Sequence, residues 1–125
     1  MVNYAGATIR ASVAAAGYTL VNGTGTIISW TAATTGAAHY LLIPAVKDVT
    51  SNETGGSITL TATLPDGTAV SAVTVIGGGQ STGIYTSGGP QFSQIVVKDG
   101  TTVTIAQGSA LTAGASVVWA AIVEL

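Results

Sequence analysis

The sequence predicts an all-β, antiparallel fold, and three observations carry that prediction. Sustained helical periodicity of apolar residues is absent. Val, Ile and Thr recur in short runs, and Gly, Asn, Asp and Pro break those runs at close intervals. The spacing of the breaks implies about eight to ten short strands. A chain of 125 residues has room for a single domain, taken here as residues 1–125.

Composition narrows the class further. Charged residues make up 6 % of the chain, against about 25 % in an ordinary soluble protein. Small residues and Thr replace Lys and Glu, giving a surface that repels partners weakly and loses little side-chain entropy when covered. With no cysteine, neither disulfides nor thiolate metal sites are possible. Arg10, Lys47 and Lys98 are the three cations, too few for the phosphate contacts of a nucleic-acid partner. No membrane partner is expected, because Ala11 to Val46, the longest charge-free stretch, is interrupted by Gly17, Asn22, Gly23, Gly25, Gly36 and Pro44. Met1-Val2-Asn3-Tyr4 does not read as a basic leader followed by an apolar core.

In chain order, Ala7 to Val13 reads as the first strand, followed by a connector at Ala14 to Gly17. Tyr18 to Val21 leads into Asn22-Gly23, a dipeptide suited to a tight hairpin. Thr26 to Trp30 returns, with Ile28 and Trp30 on one face and Ile27 on the other. His39 to Val46 is apolar on both faces, and Pro44 marks an end, edge or bulge within it. Lys47 to Gly56 has the composition of a solvated loop.

Ser57 to Leu64 alternates cleanly, placing Ile58, Leu60, Ala62 and Leu64 inside and a ladder of hydroxyls outside. Pro65-Asp66-Gly67-Thr68 closes a turn. The next strand slips phase between Ala72 and Val73, which predicts a bulge. Gly77 to Pro90 reads as the longest and most mobile loop. Gln94 to Val97 and Thr101 to Ala106 are expected to form a hairpin around Lys98-Asp99-Gly100, and Gln107 to Gly114 to connect to the last strand.

That last strand, Ala115 to Leu125, is apolar at both odd and even positions and so requires cover on two faces. One face is served by the chain's own core. In a domain this small the other cover is another subunit, with Tyr40, Leu42, Val118 and Ile122 as the candidate interface. Trp30 and Trp119 are candidate core residues. The two doubly apolar strands are expected to lie side by side.

Chemistry is sparse. His39 is the sole histidine, heads an apolar strand and lacks a GxSxG elbow, so a hydrogen-bonded structural role outranks catalysis. Asp48, Glu53, Asp66 and Asp99 lie in turn-like sequence, where carboxylates cap backbone. Asp48 and Glu53 share one stretch, but EF-hand spacing is absent and one histidine makes no zinc site. No metal, cofactor or catalytic residue is therefore assigned, and an enzyme is not expected. Tyr85, amid glycines, is the candidate ligand contact, for instance by stacking on a sugar ring.

Several segments resemble the C1q/TNF-like jelly roll. Tyr40-Leu41-Leu42-Ile43 is similar to that family's inner strand and Leu64-Pro65-Asp66-Gly67-Thr68 to its hairpin. Ile95-Val96-Val97-Lys98-Asp99-Gly100-Thr101-Thr102-Val103 is similar to a strand, turn and strand, and the C-terminal run to its closing strand. The resemblance implies an antiparallel jelly-roll sandwich assembled as a homotrimer around its inner sheet. The bias to Ala, Gly and Thr also resembles bacteriophage capsid decoration (cement) proteins. From this follow a virion location on the capsid surface, synthesis in the host cytoplasm and a major capsid protein lattice as partner. The alternative expectation is a trimeric receptor- or glycan-binding tip of a viral fibre or spike.

Overall fold

The computed structural model describes residues 6–87 and 93–125; Met1-Val2-Asn3-Tyr4 and the Gly88-Gly89-Pro90 end of the glycine-rich segment lie outside the described residues. Nine strands are present among them: β1 (Thr8–Ser12), β2 (Tyr18–Thr19), β3 (Gly25–Thr31), β4 (His39–Ile43), β5 (Ala45–Thr63), β6 (Ala69–Ile76), β7 (Gly83–Thr86), β8 (Ser93–Val97) and β9 (Thr102–Glu124). Every pairing is antiparallel.

The doubly apolar C-terminal run is the tail of β9, a spine of 23 residues that absorbs the connector expected at Gln107 to Gly114. One edge of the spine carries β1, β2 and β3 in succession, from Thr8 opposite Glu124 to Thr31 opposite Thr102. The other carries β4 and β5, from Leu41 opposite Glu124 to Thr63 opposite Thr102. Outside β5 lie β6 and β7, and outside β4 lies β8. The two doubly apolar segments do lie side by side: Leu42 faces Val123 and Val46 faces Trp119.

Repeated register shifts between Val49 and Ile58 bend the β5–β9 ribbon. Gly55 (φ 73°) and Gly114 (φ 86°) sit in the bend. A Cβ on Gly114 would lie 2.2 Å from the Asn52 carbonyl oxygen, so close backbone approach as well as φ requires glycine here. The bend separates two halves, ordered β1-β9-β4-β8 and β3-β9-β5-β6. Their inner faces meet in one apolar cluster that includes Leu41, Ile43, Val97 and Ile122 from the first half and Ile58, Leu60, Val103 and Ile105 from the second. This order is compatible with a jelly-roll sandwich.

The alternating strand at Ser57 to Leu64 and its turn are as expected. The Leu64 N–H donates to Thr68 O at 2.8 Å, Gly67 N–H to Leu64 O at 2.9 Å, and Asp66 Oδ1 accepts the Thr68 N–H at 2.9 Å. Several expectations are corrected. Asn22-Gly23 closes no hairpin, since β2 and β3 both pair with β9. Gln107, fully buried, fills the gap: its Oε1 accepts the Val21 N–H at 3.0 Å and its Nε2 donates to Val21 O at 2.7 Å.

Lys47 to Gly56 is not a loop but part of β5. The bulged positions on β6 are Val70 and Val75, while Ala72 and Val73 stay in register with Thr61 and Leu60. The glycine-rich segment contains β7, paired to β5. Lys98-Asp99-Gly100 makes a turn, with Thr101 N–H donating to Lys98 O at 3.1 Å, but β8 pairs with β4 and not with β9. The turn therefore passes the chain from one half to the other. Pro44 separates β4 from β5, and the buried Ser87 hydroxyl accepts the Ala45 N–H there at 3.2 Å.

Candidate interaction face

Inward positions on the last part of β9 are Val118, Ala120 and Ile122, all buried. The intervening residues Val117, Trp119, Ala121, Val123 and Leu125 point outward by alternation. Register extends this outward face: Ile9 and Leu42 flank Val123, Val46 flanks Trp119, and Tyr40 lies beside Val96. On β7, Thr86 and Ile84 continue the rows of Val46 and Asp48. Large exposed apolar side chains among the described residues concentrate here: Ile84 (71 %), Ile9 (67 %), Val96 (61 %), Tyr40 (58 %), Leu125 (57 %) and Trp119 (37 %).

Two shallow depressions mark the face, one lined by residues including Tyr40, Leu42, Val96 and Leu125, the other by Pro44, Val46, Trp119 and Ala121 among others. Asp48 is the charged residue that register places at its margin, opposite Val117. A concentration of exposed apolar side chains of this kind is a candidate interaction surface.

The sequence-predicted residues divide across this geometry. Tyr40 and Leu42 stand on the uncovered face. Val118 and Ile122 do not: both have 0 % exposure inside the chain's own core, because the strand alternates and they occupy its inward phase. The outward partners Trp119 and Val123 take their place. Trp119 is accordingly not a core residue. Its ring edge lies under the turn before β2, with Nε1 donating to Ala15 O at 2.9 Å, and a Cβ on Gly17 would come within 3.0 Å of the ring.

Trp30 is half-buried against the core, edge-on to His39 at 5.9 Å between ring centroids. The Arg10 guanidinium lies 5.8 Å from the Trp30 ring centre. Tyr85 is not a loop tip: on β7 it packs against the core, and its hydroxyl donates to Ser81 O at 2.8 Å.

Two buried polar groupings lie beneath or beside the face. Lys47, with 0 % exposure, projects inward; its Nζ donates to Glu53 Oε1 at 2.5 Å and to Gly77 O at 2.6 Å, while Ser116 Oγ donates to Glu53 Oε2 at 2.7 Å. At the corner where β4 begins, buried His39 sits between two carboxylates, Nε2 to Asp99 Oδ1 and Nδ1 to Glu124 Oε2, each at 2.5 Å. Arg10 Nε donates to Glu124 Oε1 at 2.8 Å, and the Gly36 N–H donates to Asp99 Oδ2.

Hydrogen bonding to Asp99, then to Glu124, raises the His39 pKa above its ordinary value, outweighing the opposing effect of burial. The same contacts hold both carboxylates below their usual range. Asp99 and Glu124 approach opposite nitrogens of one ring, so their oxygens do not converge on a common ligand point. No cluster of three potential metal ligands occurs among the described residues. Sequence reasoning missed the Lys47–Glu53 pair; the signal was the phase of Leu41, Ile43, Ala45, Lys47 and Val49, which continues through the lysine.

No family model matches the chain, and no curated protein matches it. Among solved structures, a chain of the T13 particle of infectious bursal disease virus superposes with a TM-score of 0.56 at 14 % identity, over 95 % of this chain and 31 % of that one. A chain of the Gx strain of the same virus gives 0.53 at 16 % identity, over 95 % and 32 %. The present chain thus spans about a third of the length of those capsid chains, and the likeness is one of fold.

Proposed function

We propose that this chain is a structural component of a virus particle: a homotrimeric jelly-roll decoration, or cement, protein that binds a capsid lattice and reinforces it without catalysing a reaction. The observation that carries the reading is the apolar outer face of the β1-β9-β4-β8 half, a surface more suited to another protein than to water. The fold likeness to chains of an icosahedral particle supports the same direction. The C1q/TNF-like arrangement would place this face at the three-fold contact, leaving a rim of the trimer for the lattice. The alternative of a glycan-binding tip is weakened, since its candidate contact, Tyr85, has its ring against the core.

Sedimentation of the purified protein tests the shared premise. A species of three chains at micromolar concentration is expected; a lone chain at all accessible concentrations overturns it. Cement activity is tested by adding the trimer to shells stripped of it: bound copies should raise the temperature at which the shell opens.

A further inference from the structure

A cleft opens between the edge strands β6 and β8, adjoining the apolar face through Ile95 and Val96, which line both the cleft and the neighbouring depression. Its volume is about 400 Å³, and its lining includes Leu60, Leu64, Val70, Ile95 and Val97. One end differs from the rest. Lys98 and Thr101 also line the cleft, and the bond from Thr101 N–H to Lys98 O places them in one turn. The Thr101 hydroxyl is buried and has no hydrogen-bond partner among the described residues. A buried hydroxyl left without a partner costs free energy, which a shift of the turn toward a polar ligand atom would recover. Lys98 is the sole charged residue in the lining.

We propose that this cleft binds an amphipathic monoanion, a carboxylate on an unbranched aliphatic chain. The head group lies at the Lys98–Thr101 turn and the aliphatic body along the valine, leucine and isoleucine wall. An aliphatic body needs no directional partners, and the wall offers none. A single cation at one end selects an anionic head over a cationic one. The volume admits roughly a dozen heavy atoms, at about 30 Å³ for each water-sized group. Decanoate is therefore the probe.

Calorimetric titration of the full chain with decanoate, below the concentration at which the acid forms micelles, tests the assignment. Saturable binding is expected, weakened about tenfold in Lys98→Gln by loss of one charge-assisted contact. Binding should disappear in Val70→Trp, whose exposed rim position lets the new ring fill the cleft without disturbing the core. Decyltrimethylammonium should not compete. Absence of saturable decanoate binding, equal binding of the cation, or decanoate affinity unchanged in both variants would each overturn the proposal. Circular dichroism of each variant establishes that it is folded, and Thr101→Ser, which keeps the hydroxyl, should bind as the parent does.

Discussion

The two halves of the bent sheet distribute polarity in opposite ways. In the β3-β9-β5-β6 half, Leu60, Val103 and Ile105 point inward, and the outward rows are hydroxyls: Ser29, Thr104 and Thr61 in one, Thr31, Thr102 and Thr63 in the next. Ser29 and Thr104 lie 3.2 Å apart and Thr31 and Thr102 2.8 Å apart through their side-chain oxygens. In the other half and the adjoining start of β5, the outward rows are Val46 with Trp119 and Leu42 with Val123, while Lys47, Ser116 and His39 are buried. One half is built to meet water. The other places buried charges within and apolar side chains without, the arrangement expected of a face covered by a further subunit, as proposed above.

The sharpest way to break that contrast is to put charge on each outer face in turn. If this face forms the proposed subunit contact, Leu42→Asp with Val123→Asp should raise the dissociation constant of the trimer by at least about thirty-fold, the effect of losing one interface hot spot. Thr61→Asp with Thr104→Asp, on the hydroxyl face, should leave the solution mass unchanged. Equal sedimentation of both variants would remove the distinction between the faces.

The next effect concerns the interior. Lys47→Met leaves Glu53 buried and without its cation, so chemical denaturation should show a loss of about 3–5 kcal/mol. Replacing the pair together, Lys47→Met with Glu53→Leu, should recover most of this loss, because the desolvation cost of both ions is removed along with their attraction. A double variant as unstable as the single one would mean that Ser116 and the Gly77 carbonyl, not the ion pair, hold this region.

These residues also show what local sequence can and cannot disclose. The strand from Ser57 to Leu64 was legible because alternation, an uncharged hydroxyl face and a Pro-Asp-Gly turn all pointed the same way. Lys47 to Gly56 was not, because three charges and two glycines have loop composition when read singly, yet two of those charges, Lys47 and Glu53, are buried. Only the ion pair, formed across a bulged strand, makes them compatible with burial. Tyr85 was misplaced for a related reason: its glycine neighbours suggested freedom, whereas pairing opposite Lys47 fixed it on β7.

The same limit applies to topology. Lys98-Asp99-Gly100 was correctly placed as a turn, but turn chemistry does not say whether the chain comes back on itself or crosses to another sheet. That choice is made by distant residues, among them Ala32, whose carbonyl accepts the Gly100 N–H at 3.0 Å. Of the candidate interface residues, Tyr40 and Leu42 lie in the outward phase of β4. Val118 and Ile122 were one residue out of phase, and in a strand one residue is the difference between inside and outside.

A pH dependence follows from the corner of the apolar half. His39 has a raised folded pKa, so its contribution to stability is complete below its unfolded value of about 6.5 and is lost as pH rises through the higher folded value. Asp99 and Glu124 have lowered folded values; their contribution is complete above about pH 4.5 and lost as pH falls through those values. Thermal unfolding should therefore show its best contribution from this corner between roughly pH 4.5 and 6.5. His39→Gln should flatten the alkaline side of the profile. An unchanged profile in that variant would mean that the imidazole is neutral and held by the Ala33 carbonyl, 3.2 Å from Nε2.

The smallest effect is expected on the hydroxyl face. Thr104→Val keeps the branched shape that a strand favours and removes one exposed hydroxyl contact, the one with Ser29. Water can take over the bond to Ser29, so stability should change by no more than about 0.5 kcal/mol. The same substitution adds an apolar group to the face that the contrast assigns to solvent. If that face is already covered by a partner, the lost hydroxyl is not replaced by water and the cost rises to about 1–3 kcal/mol. A large loss from so conservative a change would place a subunit on the hydroxyl side and reverse the assignment of inside and outside.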